Sequence, residues 1–138
     1  MEWMLMPYQR YFDFSGRSRR KEYWMFVLLS VIVSMISVAL MFAGGLQGEM
    51  ADGSAPGATF WLGVTILSIW GLGSIIPSIA VQVRRFHDQD RSGWMILLGF
   101  IPYVGGLIVL VFMCLEGTRG ANRYGADPKD PAGASVFA

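Results

Sequence analysis

Three long stretches of the chain carry no charged side chain: Tyr23 to Gly44, Thr59 to Val83 and Trp94 to Leu115. Each runs 22 to 25 residues, and a helix of that length rises ~33 to 37 Å. This matches the ~30 Å hydrocarbon layer of a bilayer, with some allowance for tilt. A helix of a soluble protein would need a polar face along this length, and none of the three stretches has one. The pattern predicts an all-α integral membrane protein, a compact bundle of three transmembrane helices with spans at about 23–44, 59–83 and 94–115.

The connecting segments refine that picture. Ahead of the first span, Trp3 to Phe14 alternates aromatic and polar residues, which suits a segment lying among lipid headgroups. Pro7 should delay helix formation until about its own position. Ser15-Gly16 reads as a turn, and Ser18 as the N-cap of the helix that becomes the first span. Gly45 to Ala58, rich in Gly, Ala and Asp, reads as a flexible turn. Ser30, Ser34, Ser37 and Met41 on the first span recur at helical spacing, as do Ser68, Gly71, Ser74 and Ser78 on the second. They are expected to form mutual packing faces, with self-association as the alternative. Pro77 should kink the second span. The third is broken at Pro102–Gly106, so it either crosses as a kinked helix or turns back as a re-entrant hairpin. Its length favours crossing, whereas the break and the basic-residue count favour re-entry. A single membrane domain is expected over 1–128, followed by a flexible C-terminal tail at 129–138.

Composition agrees: 54% of residues are hydrophobic and 15% are charged, against ~25% charged in ordinary soluble domains. The net charge of +1 says little, but its distribution says more. Five basic residues (Arg10, Arg17, Arg19, Arg20 and Lys21) precede the first span, and the following loop holds none. Basic residues beside span ends resist translocation, which predicts a cytoplasmic N-terminus. The apolar run after Lys21 is too long for the core of a cleaved signal peptide. The single cysteine, Cys114, rules out an internal disulfide and is expected to be a small lipid-facing residue.

Candidate chemistry concentrates in Arg84-Arg85-Phe86-His87-Asp88-Gln89-Asp90-Arg91-Ser92-Gly93-Trp94, which follows directly on the second span, with Arg84 and Arg85 at a helix C-terminus and His87 expected in an ordered juxtamembrane loop. One His and one Cys do not make a metal centre, which usually takes three or four ligands. His87 beside Asp88 lacks the third group that orients a triad, and no Gly-rich phosphate loop occurs. No cofactor is expected. Arg17, Arg20 and Glu22 at the start of the first span share a face with Arg84, Arg85, His87, Asp88, Ser92 and Trp94. Such a set suits either topology signalling or a pocket for an anionic headgroup. Nucleic-acid binding is disfavoured, because the cluster is short, balanced by acids and held at the membrane.

Several of these segments together resemble a known family. Phe12, Phe14-Ser15-Gly16-Arg17, Arg20 and Glu22-Tyr23-Trp24 form one motif. Arg84-Arg85-Phe86-His87-Asp88 with Ser92-Gly93-Trp94 forms a second. Pro102 and Gly105, followed by Gly117-Thr118, Gly120, Asn122-Arg123-Tyr124-Gly125 and Asp127-Pro128, form a third. In this order they are similar to the signatures of the bacterial membrane family called domain of unknown function 805 (DUF 805). The resemblance implies a small bacterial inner-membrane protein and no particular activity. It also directs attention to Asn122, Arg123 and Asp127 as a tail motif.

The spans contain no Asp, Glu, Lys, Arg or His, the usual carriers of proton or ion coupling. The expected function is therefore non-enzymatic binding of membrane lipids, possibly anionic, or of a membrane partner or second copy. An oligomeric transporter or channel component is the alternative, and a membrane-embedded enzyme acting on lipid comes third.

Overall fold

A computed structural model describes residues 2–52 and 55–129 of the chain. Residues 130–138 of the expected tail, and Gly53 and Ser54 of the expected turn, lie outside the described residues. The elements are helical, in the order α1 (Glu2–Gln9), α2 (Arg20–Asp52), α3 (Ala58–Asp88), a 3-10 helix (Gly93–Phe100) and α4 (Gly105–Cys114). One isolated bridge pairs Asn122 with Gly125.

Among the described residues, two helices are long and apolar enough to cross a membrane: Arg20–Gly48, of 29 residues, and Ala58–Asp88, of 31 residues. The core helix of a soluble protein can pass that test, but it is mostly buried. Here only 11% and 22% of the most apolar windows are buried, so these faces need an apolar surrounding.

Several expectations are corrected. Helix α1 starts at Glu2 and runs through Pro7, which is buried; the missing N–H removes just one hydrogen bond. Helix α2 continues to Asp52 instead of ending at Gly44, and α3 runs through His87 to Asp88 where a loop was expected, with Arg84 and Arg85 near its C-terminus as expected. Pro77 lies inside α3, and the helix continues beyond it. The hydroxyl of Ser18, expected as a cap, donates to Glu22 Oε2 at 2.5 Å.

The largest correction concerns the third apolar stretch. It is not a 22-residue helix but an eight-residue 3-10 helix and a ten-residue α-helix packed together as a hairpin. Each arm rises only ~15 to 16 Å, half of what a crossing needs. Pro102 has no N–H to continue the first arm, and Tyr103 adopts a left-handed φ of 68°. Gly105 makes the close fold-back possible, since a Cβ there would lie 2.3 Å from the Leu98 carbonyl oxygen. Three bonds return the end of the hairpin to its starting point. Gln89 Nε2 donates to the Phe112 carbonyl, an Arg85 Nη2 to that of Leu115, and Arg20 Nη1 to that of Cys114.

The chain forms two compact units, Val27–Ile75 and Met1–Phe26 with Ile76–Ala138. In the first unit the two long helices meet at glycines. A Cβ on Gly63 would lie 2.5 Å from the Ser37 carbonyl, and one on Gly44 would lie 2.1 Å from the Phe60 nitrogen. Ser37 and Ser74 are buried as the packing-face reading requires, whereas Ser68 and Gly71 are exposed. The Ser68 hydroxyl donates to its own helix at Val64. In the second unit Phe86, Val109 and Met113 make a small core, flanked by Tyr23, Met95, Leu98 and Phe112.

Candidate functional site

The second unit gathers nearly all of the charged motif residues. Arg17 lies just before α2, and its guanidinium is only 2% exposed. Its Nε donates to Asp88 Oδ1 at 3.0 Å, Nη1 to the Gly120 carbonyl and Nη2 to the Thr118 carbonyl, both at 2.6 Å. Arg84 Nη2 donates to Glu22 Oε1 at 2.9 Å, and its Nη1 to the Asp13 carbonyl at 2.9 Å. Arg85 Nη1 reaches Asp88 Oδ2 at 2.5 Å. Arg84, Arg85, Glu22 and Asp88 are all buried.

Charge balance explains why this burial is tolerated. Three cations, Arg17, Arg84 and Arg85, face Glu22, Asp88 and the more distant Asp127, whose Oδ1 lies 4.0 Å from Arg17. Buried charges persist only when paired and hydrogen-bonded, and this set is neutral. The Nε atoms of Arg84 and Arg85 and Gln89 Oε1 are buried without a protein partner.

An anion pocket built from Arg17, Arg20, Arg84 and Arg85 is therefore not what the side chains present. Three of the four guanidinium groups are turned inward to carboxylates and carbonyls of this chain. Arg20 alone of the four is open, 44% exposed, with Glu116 at 3.7 Å.

The tail motif acts as the lid of this network. Thr118 donates its N–H and its hydroxyl to the Asp88 carbonyl, at 2.8 and 3.1 Å. Asn122 Nδ2 donates to the His87 carbonyl at 2.9 Å. Asp127 accepts the N–H groups of Gly120 and Lys129, each at 2.9 Å. Those bonds, the Lys129 amide first, hold the Asp127 carboxyl below its ordinary range. Arg123 stands apart, exposed and paired with Asp90 at 3.1 Å. Gly117 has no room for a side chain, as a Cβ would fall 1.9 Å from Asp88 Oδ2.

Another clamp orders the approach to α2. Asp13 accepts the Ser15 hydroxyl at 2.5 Å and the Arg10 guanidinium at 2.6 Å. The Ser15 hydroxyl, then Arg10, pull its pKa down to about 2.

His87 and Trp94 belong to a different feature, an open cavity of about 570 Å³. Helix α3 contributes Ile79, Val83 and His87 to it, four residues apart on one face. Phe14, Ser92, Trp94 and Tyr124 complete most of the wall. The His87 ring stacks on Tyr124 with centroids 3.9 Å apart and planes 6° from parallel. Its Nδ1 lies 3.3 Å from the Gly16 carbonyl. A carbonyl can only accept, so Nδ1 carries the proton and Nε2 is the acceptor. Gly93 lets the 3-10 helix come close, because a Cβ there would lie 2.7 Å from Val83 Cγ1 and 3.1 Å from His87 Nε2. A second groove of about 500 Å³ lies within Val27–Ile75, lined by Val38, Met41, Phe42, Leu46, Pro56 and Phe60 without a polar side chain.

Sequence reasoning located Arg17, Glu22, Arg84, Arg85, Asp88 and Asp127 but missed their carbonyl partners at Asp13, Leu115, Thr118 and Gly120. A backbone oxygen has no signature in a sequence. Tyr124 was present in the tail motif, yet nothing in the order of residues shows that it would stack on His87.

The comparisons with known proteins agree with this arrangement. The model of the family described as "Protein of unknown function (DUF805)" matches residues 11–126, which covers the first two motifs and the third as far as Gly125. The chain belongs to this family. It is 43% identical over 130 residues to the inner membrane protein YhaI of Escherichia coli, covering 94% of this chain and 97% of that one. The inner membrane protein YhaH of the same organism is also 43% identical, over 129 residues, covering 94% and 98%. The E. coli protein YiiR is 27% identical over 144 residues, covering 86% and 88%. No solved structure matches the chain. The DUF805 match takes in the lining of the His87 cavity and all of the buried network except Asp127.

Proposed function

We propose that this DUF805 protein is a non-enzymatic bacterial inner-membrane protein that holds a membrane lipid in the His87 cavity, with the neutral arginine network as the rigid frame beside it. The carrying observation is the contrast between the two features. The arginines are closed on partners of their own chain, while the neighbouring cavity is open, largely apolar and edged by His87 and Ser92. Binding sites for apolar ligands have this character, an apolar wall with a few placed polar groups.

Catalysis finds little support at this site. Asp88 is engaged by Arg17 and Arg85, so it does not orient the adjacent imidazole. The location rests on two long exposed apolar helices and on the printed names of YhaI and YhaH. All 11 Lys and Arg residues fall in the unit formed by Met1–Phe26 and Ile76–Ala138, and none in Val27–Ile75. That asymmetry supports a cytoplasmic N-terminus and, with the hairpin folding back, a tail on the same side.

Native mass spectrometry of the protein released from membranes tests the reading. The parent should retain lipid, and Ile79→Trp, which fills the cavity from a half-open α3 position, should lose most of it. Arg20→Gln should retain lipid like the parent. Equal retention by Ile79→Trp and the parent would remove the cavity from consideration.

A further inference from the structure

We infer that the ligand of the His87 cavity is an acyl chain ending in an uncharged, hydroxyl-bearing glycerol group, as in a monoacylglycerol, and not a phosphate or carboxylate head. This rests on the lipid-binding reading above and specifies the chemistry at the polar end of the same site.

Three observations carry it. The first is the polarity gradient along α3. From Ile79 through Val83 to His87 the wall rises ~12 Å and passes from aliphatic to polar. An amphiphile aligned with α3 meets apolar side chains along its chain and polar atoms only at one end. The second is the character of those polar atoms. The His87 ring gives its Nδ1 proton to Gly16, which leaves Nε2 as an acceptor. The Ser92 hydroxyl oxygen accepts the Trp94 N–H at 3.4 Å, which leaves its own proton to donate. One acceptor and one donor in the wall of the same cavity suit a neutral hydroxyl, which does both. A phosphate or carboxylate offers no proton to Nε2 and would face its lone pair.

The third observation is electrostatic. A charged head would need a local counter-charge in this partly desolvated place. The buried arginines are already neutralised by Glu22, Asp88 and Asp127. Arg123, whose guanidinium carbon lies 4.9 Å from the Tyr124 ring centroid, is committed to Asp90 through Nε at 3.1 Å and through Nη2 to its carbonyl at 2.7 Å. The near-parallel stack of His87 on Tyr124 adds a flat aromatic surface on which the carbon skeleton of glycerol can rest.

The test compares three stearoyl probes that differ only in their heads: 1-monostearoylglycerol, stearic acid and stearoyl lysophosphatidic acid. Each is titrated against the delipidated full chain in neutral detergent, at a pH of about 8, where an ordinary imidazole is neutral. Monostearoylglycerol should bind at least ~10-fold more tightly than the two anionic probes, a difference of ~1.4 kcal/mol. His87→Phe, which keeps an aromatic ring for Tyr124 but removes the acceptor, should bring the three affinities together, as should Ser92→Ala. Ile79→Trp should abolish binding of all three. Equal or tighter binding of either anionic probe overturns the glycerol inference, as does a preference that survives both polar-end variants. If Ile79→Trp still blocks every probe in those cases, the cavity remains the lipid site with a different head. If it blocks none, the lipid-binding reading falls as well.

Discussion

Arg84 and Glu22 are linked at 2.9 Å, with side chains 0% and 3% exposed. Removing one member of such a pair strands the other charge, at a cost of ~3 to 5 kcal/mol, whereas replacing both with apolar residues is often neutral. Arg84→Met alone should therefore sharply lower the unfolding temperature in detergent, and the double variant Arg84→Met, Glu22→Leu should recover most of the loss. A double variant as unstable as the single one would show that the Arg84 bond to the Asp13 carbonyl matters more than the ion pair. The Asp13 clamp gives a pH signature. Its folded pKa of about 2 lies below the ordinary aspartate value of 3.8. A depressed carboxylate stabilises the fold above its unfolded pKa, and this contribution fades as pH falls through the folded one. Hydrogen exchange at the Ser15 amide, which donates to Asp13 Oδ1, should stay slow down to pH ~4 and accelerate toward pH ~2. In Asp13→Asn that transition should be missing.

Among the elements, the two long helices were legible because charge-free runs of this length have few alternative interpretations. Their ends were not, since α2 continues through Gly44, Gly45 and Gly48 to Asp52. The exposed Gly71 also shows why small residues alone mislead: the close contacts occur at Gly44 and Gly63, and only the partner helix decides which small residue is used. Gly63→Val should consequently destabilise the protein more than Gly71→Val, and thermal unfolding in detergent would rank them. The hairpin was visible as a break at Pro102–Gly106, but the length of the stretch argued for crossing. What supports a fold-back is the set of carbonyl bonds from Arg20, Arg85 and Gln89, which sequence does not display. With Cys114→Ser in the background, Arg119→Cys should react with a membrane-impermeant thiol reagent from the same side as Lys21→Cys. Labelling from opposite sides would restore a crossing third span.

For the molecule as a whole, the charged motifs were readable as one cluster but their purpose was not. Arg17, Arg84 and Arg85 look identical in a sequence whether they await an anion or are already satisfied. Only the pairing of Arg17 and Arg85 with the two oxygens of Asp88, and of Arg84 with Glu22, distinguishes these cases. The arrangement resembles a staple more than a receptor. The exposed pairs Lys129 with Glu116 and Arg20 with Glu116 add little to it, because solvent screens them.

The staple also fixes an order of assembly. Arg17 finds Asp88 71 residues later in the chain, and Thr118 and Gly120 101 and 103 residues later. A ribosome has made both long helices before the last of these partners exists. During synthesis two of the Arg17 donors must therefore remain in water or among lipid phosphates until Thr118 and Gly120 emerge, and closure of the lid comes last. A chain stopped after Cys114 should still insert its two helices and pair Arg17 with Asp88, yet without the Thr118 and Gly120 carbonyls it would be an open intermediate, and a membrane protease that surveys unfinished proteins would find its cleavage sites in the uncovered segment from Arg10 to Arg20.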